Sequence, residues 1–144
     1  MQLTDRTKIL LTMMMSSFVT PFTSSALTLS LPDIGRDYGA SANELGWVLE
    51  IFLLASIVCL LPMGKLADRL GKRRIFLWGM MIFTVSSLAV VFAPGMTGLL
   101  FCRAIQGIGA AMIYATTMSI LTLVCPPAQR GQAIGWNVSM VYVG

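Results

Sequence analysis

Two ionisable residues lie inside long apolar runs of the sequence. Glu50 is the one charged residue between Leu45 and Met63, and Arg103 separates two uncharged runs. A charge in the hydrocarbon core of a bilayer costs about 2.5–3.5 kcal/mol on insertion scales, so such residues usually face a cavity or a partner. Their depths match within about one helical turn. We therefore expect them to pair or to share one water-filled cavity, with snorkelling to a helix end as the alternative.

The remaining residue types argue against enzymatic and metal chemistry. The chain has no histidine, and its three cysteines show no metal-ligand spacing, which excludes histidine acid–base catalysis and the usual zinc motifs. Cys59, Cys102 and Cys125 lie in or beside apolar stretches, where cysteine acts as a small packing residue. Neither a phosphate-binding loop nor a nucleophile–base set is present. We expect no enzyme, no cofactor and no metal site.

The composition indicates a membrane protein. Of the 144 residues, 56% are hydrophobic and 11% are charged, whereas an ordinary soluble domain has about 25% charged residues. The mean hydropathy of +0.80 excludes a disordered chain, which needs low hydrophobicity and high charge. The net charge of +4 does not indicate a nucleic-acid partner, because the basic residues lie between apolar runs and not on a polar face. The expected surroundings are a lipid bilayer.

The apolar runs predict an all-α membrane protein. A spanning helix needs about 20 apolar residues, and four runs reach that length. A fifth segment opens at Gln132 and is too short to span before Gly144. The first run follows basic residues as a signal peptide would, but we favour an uncleaved helix because three more spans follow. The predicted spans are about 9–31, 45–63, 75–93 and 97–124, with a partial fifth at 132–144.

Turn-forming residues lie between the predicted spans. Prolines and glycines at 32–35, 94–95 and 126–127 are expected to end helices or to turn the chain. Ser41 and Glu44 have the spacing of a capping box, so the second span is expected to begin there.

The basic residues lie almost entirely on one side of the predicted spans. Because Lys and Arg are enriched in cytoplasmic loops, that side and the N-terminus are expected to be cytoplasmic, in a multi-pass protein of the cell membrane. Arg36 is on the opposite side. The eight residues on the cytoplasmic side are Arg6, Lys8, Lys65, Arg69, Lys72, Arg73, Arg74 and Arg130.

Polar stripes run along two of the predicted spans at helical spacing. They suit the wall of a cavity, although small and hydroxyl residues also mediate helix packing. The first-span stripe is Ser17, Thr20, Ser24 and Thr28, and the fourth-span stripe is Arg103, Gln106, Gly107, Ala110, Tyr114 and Thr117.

A charged segment connects the second and third spans, from Gly64 to Arg74. Gly64 and Gly71 are expected to allow close helix approach. Asp68 can face the positive N-terminal end of a neighbouring helix, and Arg69 and Arg73 can pair with it. The alternative is an ordinary positive-inside loop.

The order of residues in this segment resembles the G-x-L-A-D-R-x-G-R/K-R-R signature of the major facilitator superfamily. Residues 100–111 resemble the family's fourth-helix motif, R-x-x-Q-G-x-G-A-A. Two looser matches, at 31–34 with 47–48 and at 130–135, resemble the drug:proton antiporter branch. The resemblance covers nearly the whole chain.

The resemblance implies a function and a missing part. Members have twelve or fourteen helices in two six-helix bundles, so the chain would be an N-terminal fragment that needs the C-terminal bundle or another copy of itself. The implied activity is secondary active transport, as proton-coupled efflux of small lipophilic or cationic compounds. The fourth-helix arginine takes part in proton coupling in this family, which would give Arg103 that role beside Glu50, Gln106, Tyr114, Thr20 and Ser24.

The chain departs from the family pattern at two places. The first-helix aspartate of the antiporter branch is replaced by Thr23, which leaves Glu50 as the acid within the spans that could carry a proton. Ala128 and Gln129 stand where the family often has acids, which weakens the expected charge network around Asp68.

Three other functions remain open at this point. The chain could be a small self-assembling four-helix transporter, an assembly partner of a full-length transporter, or a bare structural bundle. Oligomeric mass in detergent tests the first, and rescue by a separately expressed C-terminal part tests the second.

Overall fold

The computed structural model describes residues 3–144, with side chains from Thr7 onward. Its elements are α1 (Leu3–Tyr38), α2 (Ala42–Leu70), α3 (Lys72–Val91), α4 (Met96–Val124) and α5 (Arg130–Val143), with a short 3₁₀ turn (Pro127–Gln129) before α5. The first four helices are long and apolar enough to cross a membrane. The predicted all-α membrane fold is confirmed.

The turn expected at residues 32–35 does not form, and α1 continues through Pro32 to Tyr38. The helix ends where Gly39 adopts a left-handed φ of +59° and the N–H of Ala40 donates to the carbonyl of Gly35 at 3.0 Å. This pairing satisfies an otherwise free terminal carbonyl. Glycine therefore ends α1, and the proline is accommodated inside it.

The segment between α2 and α3 was expected to be a loop, but most of it is helical. Helix α2 runs to Leu70 and α3 begins at Lys72, so Gly71 alone forms the connection. Its φ of +99° suits glycine, which has no Cβ to clash in that region. The charged residues therefore sit on a tight corner between two rigid helices.

The capping box and the two later turns form where the sequence predicts them. Ser41 and Glu44 form a complete capping box at the start of α2. The chain turns at 94–95, and α4 ends at Val124 just before the two prolines.

Helix α4 is the centre of the packing, and it lies most extensively against α2 and α3. Glycines make this possible. A Cβ on Gly107 would lie 2.5 Å from the carbonyl oxygen of Phe52 on α2, and one on Gly109 would lie 2.8 Å from the backbone N of Phe83 on α3. Helix α1 packs chiefly against α5.

The close approach expected at Gly64 and Gly71 is not found. A Cβ at either position would meet no other atom of the described chain within 4 Å. Gly71 is needed for its backbone conformation, whereas the close helix contacts use the glycines of α4.

Large apolar side chains cover the outside of the bundle. Leu29 and Phe92, for example, are both 82% exposed, as expected for a surface that faces lipid. We call the end of the bundle that carries Lys8, Lys72 and Arg73 the basic end, since these side chains line one cavity there. The end with the turns at Gly39 and Gly95 is the far end.

Candidate functional site

Arg103 is buried within the bundle, with 1% of the residue exposed. Its Nε donates to the backbone carbonyl of Val48 on α2 at 3.3 Å. Its Nη1 donates to Oε1 of Gln106 at 2.5 Å, and its Nη2 lies 3.5 Å from Oγ of Ser24 on α1. The guanidinium has five donors in a planar fork, so one side chain reaches three helices.

Gln106 extends this network to the fourth helix. Its Nε2 donates to Oγ of Ser87 on α3 at 2.6 Å, and Ser87 donates in turn to the carbonyl of Phe83 at 2.7 Å. The polar chain from Arg103 through Gln106 therefore connects α1, α2, α3 and α4. A buried polar network of this kind favours one specific packing arrangement.

An aromatic ring provides further stabilisation of the buried charge. The Cζ of Arg103 lies 4.5 Å from the centre of the Phe52 ring, within the range of a cation–π interaction. Val48 and Phe52 are one helical turn apart on α2, so the same face of that helix presents both a carbonyl and a ring to the guanidinium.

The sequence of α4 explains how these groups meet. Arg103, Gln106, Gly107 and Ala110 fall on one helical face at spacings of three and four residues. All four are buried. Because Gly107 has no side chain, α2 comes close enough for its backbone carbonyl to reach Arg103.

The expected pairing of Arg103 with Glu50 does not form. Glu50 is exposed, and the salt bridges within the described side chains join Asp33 to Arg36 and Asp68 to Lys72. The physical reason is helical geometry. Glu50 lies two residues from both Val48 and Phe52, about 200° around the helix from the face that meets Arg103. The depths of the two charges match, but the faces do not.

A cavity of about 180 Å³ lies beside the network, between α1, α3 and α4. Arg103, Gln106 and Ser87 contribute its polar wall, and Thr23 of α1 also lines it. Thr23 is the position at which the antiporter branch often has an acid. The hydroxyl of Thr23 donates to the carbonyl of Val19 at 2.8 Å. The position of the absent acid and the buried arginine therefore share one cavity.

Two predicted site residues belong to a different part of the bundle. Tyr114 lies about 16 Å along α4 from Arg103, toward the basic end, where its side chain contacts Thr20. Thr20 is buried, and its hydroxyl donates to the carbonyl of Ser16 at 3.1 Å. Ser24 alone among the first-span candidates reaches the arginine.

The two ends of the polar stripe on α1 have different surroundings. Ser17 is buried and donates to Oδ1 of Asn137 on α5 at 2.8 Å, so here the stripe mediates helix packing. At the other end of the stripe, Thr28 is exposed and donates to the carbonyl of Ser24.

Sequence reasoning missed three residues of these networks: Ser87, Phe52 and Asn137. The signals were weak but present. Ser87 and Asn137 are polar residues in apolar segments, and such residues usually find a partner. Phe52 gave no signal, since an aromatic residue is ordinary in an apolar span.

The charged corner holds one ion pair. Nζ of Lys72 lies 3.5 Å from Oδ1 of Asp68, and the Asp68 side chain remains 69% exposed. Gly64, Asp68 and Arg69 occupy the last turns of α2, Gly71 forms the corner, and Arg73 lies in the first turn of α3. Arg69 and Arg73 are exposed.

The chain is similar to known proteins over most of its length. Residues 13–144 match the sequence model of the family described as the Major Facilitator Superfamily. The chain is 35% identical over 113 residues to the methyl viologen resistance protein SmvA of Salmonella typhimurium. These residues are 78% of this chain and 23% of that protein. It is 36% identical over 128 residues to the cephamycin export protein CmcT of Amycolatopsis lactamdurans, covering 88% and 26%.

A third relative is the riboflavin transporter RibZ of Clostridioides difficile. It is 28% identical over 127 residues, which is 88% of this chain and 28% of the relative. The chain thus spans about a quarter of the length of the curated relatives it matches. The match over residues 13–144, together with the four apolar helices, shows that the chain belongs to the Major Facilitator Superfamily.

Proposed function

We propose that this chain is the N-terminal part of a secondary active transporter that exports small lipophilic or cationic compounds in exchange for protons. The observation that carries the proposal is the buried Arg103 network, which connects four spanning helices around one charge. Relatives named as a methyl viologen resistance protein and a cephamycin export protein support export as the direction.

The basic end is proposed to face the cytoplasm. Seven of the eight clustered basic residues, from Lys8 to Arg130, lie within the described side chains, and this bias predicts the cytoplasmic side. The N-terminus would then be cytoplasmic, and the far end would face outward across the cell membrane.

Arg103 is proposed to respond to protonation elsewhere in the transporter. Its charge is compensated by a carbonyl, an amide, a hydroxyl and a ring, none of which titrates in the physiological range. The contact with Ser24 is the longest, at 3.5 Å. A movement of α1 against α4 would break that contact first and would turn the guanidinium toward the cavity beside Thr23.

Glu50 is proposed to carry the proton on the other face of α2. Its carboxylate is exposed, and exposure to hydrocarbon would be costly. A water-filled route between this bundle and the rest of the transporter would remove that cost. Such a route would also let the carboxylate take up and release a proton while the bundles rock against each other.

The charged corner is proposed to act as a latch on the cytoplasmic side. Asp68 is exposed even though it pairs with Lys72, so its carboxylate is accessible to a helix of the second bundle. The positive N-terminal end of such a helix is a suitable partner.

The experiment uses the protein expressed from its native reading frame in everted membrane vesicles. Addition of an exported cation such as methyl viologen should dissipate an imposed proton gradient, and a pH-sensitive dye reports this. Arg103→Lys and Glu50→Gln should each reduce the response at least tenfold. Lysine lacks the planar fork that reaches three helices, and glutamine carries no titratable proton.

Matched controls come from exposed residues at the far end. Arg36→Lys and Asp37→Asn make the same chemical changes on exposed side chains near the end of α1, and they should leave the response near wild type. The proposal is wrong if Arg103→Lys and Glu50→Gln behave like these controls at equal expression.

A further inference from the structure

Ser87 of α3 holds the end of the Gln106 side chain that does not face the arginine. Nε2 of Gln106 donates to Oγ of Ser87 at 2.6 Å, while Oε1 accepts from Nη1 of Arg103 at 2.5 Å. Arg103 and Gln106 are each 1% exposed, so this chain of contacts lies inside the described helices and not on an open face. Ser87 has no role in the proposed transport mechanism.

The charge on Arg103 fixes the direction of every hydrogen bond in this chain. A guanidinium only donates, so the atom of Gln106 that faces it is the carbonyl oxygen Oε1. The amide nitrogen then points to α3 and donates to the oxygen of Ser87. The proton of that hydroxyl goes to a different acceptor, the backbone carbonyl of Phe83 at 2.7 Å. Bonds ordered in one direction in this way polarise and strengthen one another.

The amide of Gln106 needs both contacts to keep one orientation. The last torsion of a glutamine side chain has a broad energy minimum, so a single bond at Oε1 would leave the amide plane free to turn. The second bond, from Nε2 to Ser87, restricts that rotation. Ser87 therefore controls how well Oε1 is aligned with the guanidinium of Arg103.

The position of Ser87 is itself fixed by the packing of α3 on α4. Its hydroxyl is tied to the carbonyl of Phe83, four residues earlier on the same helix. At Phe83 the two helices approach closely, because a Cβ on Gly109 would lie 2.8 Å from the backbone N of Phe83. The contact to Gln106 therefore rests on backbone packing and not on a mobile side chain.

We propose that Ser87 is a positioning residue that acts through Gln106 and determines how firmly Arg103 is held in its resting position. The consequence for transport rests on the proposed function. With a loosely held amide, Arg103 would leave its resting position without the protonation that is proposed to move it. Export would then be less tightly coupled to protons.

The test is nuclear magnetic resonance of the protein expressed from its native reading frame, in detergent and with isotopically labelled arginine. The side-chain signal of Arg103 is identified by its absence in Arg103→Lys. Ser87→Ala should displace this signal by at least half of the displacement that Gln106→Leu causes. Ser87→Thr keeps a hydroxyl that can bond to the same carbonyl, so it should restore the wild-type position of the signal.

Ser86→Ala is the matched control, since it removes a hydroxyl from the neighbouring residue of the same helix. Ser86 donates to the backbone carbonyls of Ile82 and Phe83, and Ser86→Ala should leave the Arg103 signal in place. The double variant Ser87→Ala/Gln106→Leu should match Gln106→Leu alone, because Ser87 acts through Gln106. If Ser87→Ala does not fold, Ser87→Val replaces it, since valine has the shape of threonine without the hydroxyl.

Two results would overturn the positioning role of Ser87. One is an Arg103 signal that stays at its wild-type position in Ser87→Ala. The other is an equal displacement in Ser86→Ala, which would show a general response to changes in α3.

The proposed function is tested separately, with the same variants in the everted-vesicle assay. Ser87→Ala should reduce the dye response severalfold, and Ser87→Thr should restore it. A displaced Arg103 signal with a wild-type dye response would confirm the positioning role and would contradict the proposed coupling through Arg103.

Discussion

At the residue scale, Arg103 shows how a full positive charge can be buried without a carboxylate. Its donors reach a backbone carbonyl, an amide and a hydroxyl, and its face lies over the Phe52 ring. Removal of any one of these groups leaves the others, whereas removal of the arginine leaves the buried Oε1 of Gln106 without its donor. Buried polar groups without partners cost about 1–3 kcal/mol each.

Thr23 offers a direct test of the cavity beside this residue. Because Thr23 and Arg103 line the same cavity, Thr23→Asp would place a carboxylate near a buried cation. We expect Thr23→Asp to reach the membrane at near wild-type level and to shift the pH dependence of the proposed efflux, since a titratable group would then face the arginine. Expression and the pH profile of efflux are measured together.

Thr28→Asp is the matched control for that change. Thr28 lies on the same helix but is exposed, so its carboxylate would find no arginine in the described bundle. We expect Thr28→Asp to lower the membrane-inserted fraction severalfold, because a lone carboxylate in hydrocarbon costs about 2.5–3.5 kcal/mol. Equal expression of the two variants would count against an open cavity between Thr23 and Arg103.

At the scale of the secondary-structure elements, α4 is the central helix against which α2 and α3 pack. Two of its glycines remove the side chains that would otherwise separate the helices: Gly107 faces α2 and Gly109 faces α3. The motif in residues 100–111 therefore combines a polar function with a packing function on one helix. A change in the packing glycine should disturb the polar network, because Val48 and Phe52 reach Arg103 only at this close helix separation.

Gly107→Ala should destabilise the protein by about 1–3 kcal/mol, because the new methyl group would overlap backbone and side-chain atoms of α2. The measurement is thermal unfolding in detergent, followed with a thiol-reactive dye that reports exposure of the buried Cys125. Gly46→Ala is the control, since a Cβ there meets no other atom within 4 Å and alanine favours the helix. A Gly107→Ala midpoint equal to that of Gly46→Ala would contradict the close packing of α2 and α4.

At the scale of the whole molecule, the described helices form a bundle with two unequal parts. Helices α2, α3 and α4 pack closely together, while α1 lies mainly against α5 and has fewer contacts with α4. The Arg103 contact with Ser24 connects the two parts at the far-end half, and Ser17 bonds to Asn137 nearer the basic end. A movement of α1 with α5 would alter the arginine network while it preserved the Ser17–Asn137 bond.

The chain spans about a quarter of the length of its relatives, and alternating access requires two bundles that move against each other. We therefore expect residues 1–144 alone, reconstituted into vesicles, to show no proton-driven transport. Coexpression with the remaining part of the reading frame should restore it. Coupled transport by residues 1–144 alone, with an oligomeric mass in detergent, would instead support a self-assembling transporter.

The sequence by itself determined the membrane class, the four spanning helices and the family. These follow from local properties: the length of the apolar runs and the order of residues in two motifs. The capping box at Ser41 and the turns after α3 and α4 were predictable for the same reason, because each depends on a few adjacent residues. The continuation of α1 through Pro32 was not predictable in this way, because whether a helix accommodates a proline depends on surroundings beyond the adjacent residues.

Only the tertiary structure decided which charges meet. Counting residues along α2 and α4 placed Glu50 and Arg103 at the same depth in the membrane. The orientation of α2 about its own axis, however, places Val48 and Phe52 against the arginine and Glu50 on the opposite face. That rotation is set by the packing of α2 against Gly107, which is a contact between residues far apart in the chain. The sequence could therefore predict that Arg103 is a buried charge. Its partners could not be predicted, because they depend on how the surrounding helices pack against the arginine.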